Sequence, residues 1–234
     1  MSAADFSALS AVGLNLHAVM ELDRLPPALA APLRADFDAG RRCRQLILIG
    51  NAGPGLWRSV QQAAETSTDP IDAFSRRAVQ RWFDAQGSGR HHVFAYPGSG
   101  RVGLQALGVL AGWHHPSPFK VGIQAGWGSW FGYRVALLAD SAFTPTPPVQ
   151  APSPCASCAT RPCIAACPAG AMDAATADGG FVLETCLAWR RQADSPCRAS
   201  CVARLACPVG REHRYDEAQI RHSYLGSLAM IGAR

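Results

Sequence analysis

The C-terminal half of the chain contains the run Cys155-Ala-Ser-Cys158-Ala-Thr-Arg-Pro-Cys163-Ile-Ala-Ala-Cys167-Pro168. Four more thiols follow, at Cys186, Cys197, Cys201 and Cys207, and the last of them again precedes a proline. The remaining cysteine of the chain, Cys43, stands alone in residues 1–154. The N-terminus shows no basic region followed by an apolar run, so we expect a cytoplasmic protein with reduced thiols. The eight clustered thiols are therefore interpreted as metal ligands, and Cys43 as a buried, unreactive thiol.

The spacing of the eight thiols forms two half-motifs, each of which ends in Cys-Pro. In bacterial two-cluster ferredoxins, three closely spaced cysteines hold one cubane and the cysteine before proline reaches the other. By this logic one [4Fe-4S] cluster takes Cys155, Cys158, Cys163 and Cys207, and the other takes Cys167, Cys186, Cys197 and Cys201. Two zinc sites remain the alternative, because paired cysteines also suit tetrahedral zinc. The repeated Cys-Pro ending favours iron–sulfur clusters.

The first 143 residues alternate strand-like apolar runs with amphipathic helical patterns, which predicts an α+β domain or a layered α/β domain. Strands are predicted at 14–22, 45–50, 92–96 and 131–140, and helices at 5–12, 26–38, 56–63, 70–83 and 104–113. A stiff linker is predicted at 144–154, where five of eleven residues are proline. A small ferredoxin-like domain is predicted at 155–212. Residues 213–234 are predicted to form a helix that packs back on the first domain through Ile220, Tyr224 and Leu228.

Composition and charge argue against two function classes, membrane proteins and nucleic-acid-binding proteins. Hydrophobic residues make up 48% and charged residues 17% of the 234 residues, which is typical of a compact globular protein. Uncharged apolar stretches long enough to span a membrane are absent, so a membrane protein is not expected. The net charge of +5 is not concentrated in a block of basic residues, so nucleic acid is not an expected partner.

Two stretches before the cysteine-rich segment resemble known families. Ala111-Gly-Trp113 and the run from Val121 to Arg134, which contains Gly128-Ser-Trp-Phe131, resemble the core loop of the epoxyqueuosine reductases. The second stretch and 214–219 are also similar to segments of the CblC-type cobalamin-processing proteins. The resemblance implies a nitroreductase-like domain that holds base-off cobalamin and receives electrons from the clusters. It implies cofactor-binding roles for five residues, which are Gly128, Ser129, Trp130, Phe131 and Arg134.

Each of these assignments has an alternative. Residues 128–131 could form a tight turn with two core aromatics, and Arg134 could be a solvated strand residue.

Epoxyqueuosine reductases place an acidic general acid before the helix that ends in Ala-Gly, whereas residues 96–103 here contain no acid. We also expect no counterpart of the helical-repeat extension that those enzymes use on tRNA. Epoxide reduction on tRNA is therefore not expected, and no catalytic residue is assigned.

The function that the resemblance implies is electron transfer from two [4Fe-4S] clusters to a cofactor in the first domain, with reductive cobalamin processing as the outcome. The electron donor would be a low-potential ferredoxin, flavodoxin or reductase. Three alternatives stay open. The chain could be a ferredoxin-like carrier without an organic cofactor, a reductase of another substrate, or an interaction scaffold that needs its clusters only for shape.

Overall fold

The computed structural model describes residues 2–87, 90–173 and 180–232. The chain divides into two compact units, which are described separately. The first unit comprises residues 1–114 and 131–150, and the second comprises residues 115–130 and 151–234. Within the described ranges, no helix is both long and apolar enough to cross a membrane.

A four-stranded antiparallel sheet forms the centre of the first unit. Its strands are β1 (Leu16–Glu21), β2 (Gln45–Ala52), β3 (His92–Tyr96) and β4 (Phe131–Ala139), and their order across the sheet is β1-β2-β4-β3. The apolar run 45–50 predicts a strand buried on both faces, and every residue of it is buried. The mixed helix and sheet content confirms the α+β prediction.

The apolar face of the sheet is covered by helices α1 (Ser7–Ala11), α3 (Gly55–Gln62) and α4 (Pro70–Ala85), while α2 (Pro27–Phe37) follows β1. Helix α4 begins where the sequence predicts, because the Asp69 carboxylate accepts from the backbone N–H of Asp72 and Pro70 occupies the first turn. Its buried side, with Phe74, Val79 and Phe83, packs on Ile47, Ile49 and Leu137 of the sheet.

Helix α5 (Leu104–Leu110) ends three residues before the predicted end at Trp113. Gly112 adopts a φ of +74°, and a Cβ at this position would lie 2.0 Å from the carbonyl oxygen of Val149. The chain must therefore leave the helix here to let residues 147–150 pass closely. Val149 and Thr146 also bond the backbone of Ala111 and Val19. The N-terminal part of the predicted linker is thus fixed to the first unit.

The second unit contains α6 (Pro162–Ala165), α7 (Leu183–Arg191), α8 (Val202–Ala206) and α9 (Glu217–Gly232). It is larger than the predicted 155–212 domain, because it also contains 115–130 and α9. Phe119 and Ile123 join an apolar cluster with Cys163, Met172 and Ala203. Ile220 and Tyr224 of α9 pack with Trp130 and Tyr215 of the same unit. The predicted packing of this helix on the first domain stays a prediction.

Candidate metal centres

One cavity of the second unit is lined by Phe119, by Ile123 and by four of the thiols, which are Cys155, Cys158, Cys163 and Cys207. Cys155 lies close enough to Cys158, Cys163 and Cys207 for the charges of all three to act on its thiol. Local backbone geometry explains the arrangement. Pro162 starts α6 and so holds Cys163 in its first turn, while Cys207 follows the last residue of α8.

The other four thiols line a second cavity of the same unit. Cys186 lies on α7, and Cys201 caps the N-terminus of α8, where its Sγ accepts from the backbone N–H of Arg204 at 3.4 Å. Cys167, Cys197 and Cys201 all act electrostatically on the thiol of Cys186. The structure therefore brings the eight thiols together in two groups, in each of which the cysteine before proline comes from the other half-motif.

The separation of the sulfurs tests which metal group fits. A zinc site would need thiolate sulfurs ~3.8 Å apart, because four Zn–S bonds of about 2.3 Å point to the corners of a tetrahedron. A cubane holds its thiolates farther apart, since each binds a different iron of the cube. Among the residues that the structure describes, no three of the eight thiol sulfurs lie within 4.8 Å of one another. The donor set therefore fits a cubane better than zinc.

Burial sets the protonation of the thiols. Burial, together with the charges of neighbouring thiols, raises the pKa of Cys155 to about 11. Burial is also the main cause that raises the pKa of Cys163, Cys186, Cys201 and Cys207. These thiols are neutral at physiological pH unless a cation replaces the proton, so metal binding would release protons.

Two buried arginines lie beside the second group of thiols. Arg190 is 8% exposed and donates to the carbonyl oxygens of Cys197 and Tyr224 at 3.2 and 2.8 Å. Arg204 is 7% exposed and donates to the Ser129 hydroxyl at 3.2 Å. No described carboxylate forms an ion pair with either guanidinium. A buried cation is costly unless a negative charge compensates it, and the charged thiolates of a cluster would supply one.

Residues 128–131 are all buried. Gly128 has a φ of +61°, and a Cβ there would lie 2.1 Å from the carbonyl oxygen of Val209. Trp130 is 1% exposed and packs under the Arg204 guanidinium, which lies 4.2 Å from its ring centroid. In the first unit, Phe131 contacts Tyr133 edge-on. These contacts match the alternative of a tight turn with core aromatics, and contact between this loop and a cofactor stays a prediction.

Arg134 is half-buried in the first unit, rather than a solvated strand residue. Its Nε donates to Oδ1 of the buried Asn51 at 2.6 Å. Its charge also acts on Asp72 and Tyr96, whose side chains hydrogen-bond to each other. Burial, together with the charge of Asp69, raises the pKa of Asp72 to about 6. Sequence reasoning missed this polar group, because its members come from separate elements and form no motif.

Cys43 is 1% exposed, and burial together with Asp38 raises the pKa of its thiol to about 12. This is the environment of the unreactive thiol that the sequence predicts. Asp38, Cys43 and His91 bring one ligand atom each within 4.8 Å. The Asp38 carboxylate, however, already accepts from the backbone of Cys43 and from Arg34, whose charge opposes a metal cation.

No family model and no curated protein matches the sequence. Among solved structures, the epoxyqueuosine reductase from Streptococcus thermophilus aligns with a TM-score of 0.53 and 14% identity, over 91% of this chain and 68% of that chain. An epoxyqueuosine reductase solved with an epoxyqueuosine-modified tRNA-Tyr stem loop aligns with a TM-score of 0.55 and 13% identity, over 92% and 66%.

The B12-trafficking protein CblC from C. elegans aligns over 64% of this chain and 72% of its own, at 13% identity and a TM-score of 0.41, which is too low to carry a conclusion. The chain spans about two thirds of the length of the two reductases. Sequence motif and structure thus lead to the same conclusion: the chain has the fold of the epoxyqueuosine reductases.

Proposed function

We propose that this protein is a cytoplasmic redox protein whose second unit carries two [4Fe-4S] clusters. These clusters would pass electrons to a cofactor in the first unit, for which cobalamin is the candidate. The observation that carries the proposal is the grouping of eight thiols into two sets of four, each around its own cavity. The fold shared with the epoxyqueuosine reductases supports a reductive role.

The residues of the second unit have separate tasks in this proposal. Bound clusters would supply one-electron transfer. The eight thiols that line the two cavities would hold them, and the raised pKa values of thiols such as Cys155 and Cys186 require that protons leave as the clusters bind. Arg190 and Arg204 would balance the negative charge of the second cluster. Phe119 and Ile123 line the first cavity, and these apolar side chains would exclude water from its cluster.

In the first unit, Arg134 is the candidate for contact with the cofactor, and Asp72 can hold a proton near it. A low-potential ferredoxin, flavodoxin or reductase would charge the clusters. The tRNA that one structural neighbour binds is not part of the proposal, because residues 96–103 provide no general acid. Reductive processing of cobalamin is the reaction that we favour.

Metal analysis tests the first half of the proposal. Protein purified without oxygen should be brown and contain about eight irons and eight acid-labile sulfides per chain. Stoichiometric zinc without sulfide would contradict it.

A cobalamin titration tests the second half. Binding in the first unit should shift the visible absorption of cobalamin as its lower base leaves cobalt. Arg134→Gln should weaken this binding while the iron content stays at the wild-type level. Arg44→Gln is the matched control, since Arg44 belongs to the same unit but pairs with Asp140. Clusters without any response to cobalamin or flavin would favour the electron carrier without an organic cofactor.

A further inference from the structure

Arg134 occupies an irregular place in the sheet of the first unit. Val135 of β4 pairs with Ile49 of β2, whereas Tyr133 pairs with the next residue, Gly50. Arg134 is therefore the extra residue of a β-bulge. A bulge bends its strand and re-aims a side chain, and bulges are frequent next to active sites. The pairing of β3 with the same part of β4 contains a second register shift, so the sheet is distorted on both sides of this position.

The residues around the bulge fix the orientation of the Arg134 side chain. Its Nε donates to Oδ1 of Asn51 at 2.6 Å, and Nδ2 of Asn51 donates to the carbonyl oxygen of Gly53 at 3.2 Å. Asn51 is 0% exposed, so both ends of its amide are held inside the unit. Gly132 leaves room for the guanidinium, because a Cβ at this position would lie 2.7 Å from one of its terminal nitrogens. The guanidinium is thus held through Nε.

The two terminal nitrogens of Arg134 are left for a ligand. Within the ranges that the structure describes, they have no hydrogen-bond partner, and they are accessible to solvent. No described carboxylate lies within ion-pair distance, and Asp72 acts on the guanidinium only from farther away. The Asn51 oxygen belongs to a neutral amide, so it orients the guanidinium without compensating its charge. An open guanidinium of this kind matches the two oxygens of a phosphate or carboxylate.

We propose that Arg134, positioned by Asn51, binds an oxyanion, which is the phosphate or carboxylate group of a molecule that the first unit accepts. The inference rests on the proposed function, and it names the part of the ligand that Arg134 contacts. Cobalamin carries one such group, the phosphodiester of its nucleotide tail, whereas the side chains of its ring are neutral amides. A separate substrate with a phosphate or carboxylate is the other source of the same chemistry.

The test compares two corrinoids on the anaerobically purified full chain. Cobinamide keeps the corrin ring but lacks the nucleotide tail with its phosphodiester. If the cofactor supplies the oxyanion, wild-type protein should bind cobalamin about tenfold more tightly than cobinamide, as expected for hydrogen bonds to one charged group. Asn51→Asp should abolish this preference, because the new carboxylate keeps the hydrogen bond to Nε but neutralises the guanidinium. Its affinity for cobinamide should equal that of the wild type.

Asn15→Asp is the matched control, because it makes the same substitution in the same unit. The exposed side chain of Asn15 bonds the backbone of Ala52 rather than Arg134. This variant should keep the preference for cobalamin. Arg134→Lys replaces Asn51→Asp in every comparison if the latter does not fold. Lysine keeps the positive charge but lacks the planar fork that bonds Asn51 and two oxygens together, so it should lose most of the preference.

Calorimetric titration with inorganic phosphate covers the second source of the oxyanion. If wild-type protein binds both corrinoids equally, phosphate should bind to the wild type and not to Asn51→Asp, which assigns the site to a separate substrate. Equal corrinoid affinities without phosphate binding overturn the inference and leave the proposed function standing. A folded Asn51→Asp protein that still prefers cobalamin does the same. If neither corrinoid binds, the cofactor part of the proposed function fails, and the phosphate titration alone decides the inference.

Discussion

The close approach of two backbone segments at Gly128 makes a quantitative prediction. Gly128 and Gly210 face each other, because an added Cβ at Gly210 would lie 2.3 Å from the carbonyl carbon of Trp127, while one at Gly128 would lie 2.1 Å from the oxygen of Val209. Real Cβ contacts do not fall below 3.0 Å. Gly128→Ala must therefore push the two segments apart by about 1 Å.

Gly170 provides a matched control for the backbone conformation. It has a φ of +59°, nearly that of Gly128, but an added Cβ there meets nothing within 4 Å. Gly170→Ala should cost only the left-handed conformation of an alanine, about 1–2 kcal/mol, partly offset by a stiffer unfolded chain. Gly128→Ala should cost about 1–3 kcal/mol more than this, because it also overpacks the contact.

The assay compares the urea unfolding of both variants with that of the wild type, followed by tryptophan fluorescence and by the visible absorbance of the bound clusters. Gly128→Ala should unfold at a lower urea concentration than Gly170→Ala and release its clusters faster. Gly210→Ala should resemble Gly128→Ala, and the double variant should cost less than the sum of the two, since one separation relieves both clashes. Equal midpoints for Gly128→Ala and Gly170→Ala would refute the reasoning.

Three further predictions follow. Cys163→Ser should leave about four irons per chain, because one group of thiols stays complete, and an unchanged count would exclude this cysteine as a ligand. Trp130→Ala should destabilise the second unit by about 3–5 kcal/mol and release iron, whereas a stable variant that keeps its iron but loses cobalamin binding would support a cofactor-facing loop. Asp72 holds its proton more tightly in the folded state, so its contribution to stability is complete below about pH 4 and is lost as the pH rises through about 6. Asp72→Asn should therefore increase the free energy of unfolding at pH 7.5 by about 1–2 kcal/mol, after a discount for solvent screening, and so raise the melting temperature. The exposed Asp84→Asn should leave both unchanged.

The sequence predicts the elements of the first unit well because their signals are local. The apolar run 45–50 needs two covered faces, and β2 has them at the centre of the sheet. Asp69 and Pro70 mark the start of α4 without any tertiary information. The end of α5 could not be predicted, because Gly112 leaves the helix to accommodate Val149, which is distant in sequence.

The candidate site also has features that the sequence predicts and features that it does not. The grouping of the thiols follows from their spacing, because the cysteine before each proline joins the other half-motif. The assignment of residues 115–130 to the second unit could not be predicted, since it depends on contacts such as Phe119 with Cys163 and Gly128 with Val209. Buried arginines without carboxylate partners leave no pattern either, because charged residues are normally expected at the surface.

The charges of the second unit suggest why its fold and its clusters would depend on each other. Five thiols whose pKa is raised by burial would be neutral, and two buried guanidiniums would stay uncompensated, as long as no anionic group binds between them. A cluster changes both conditions at once, because iron replaces the thiol protons and the resulting thiolates carry the charge that Arg190 and Arg204 lack. We expect the first unit to fold without a bound group, since apolar side chains from three helices pack on its sheet. We therefore expect metal binding and folding to be coupled in the unit that would carry electrons, and separate in the unit that would hold the organic cofactor.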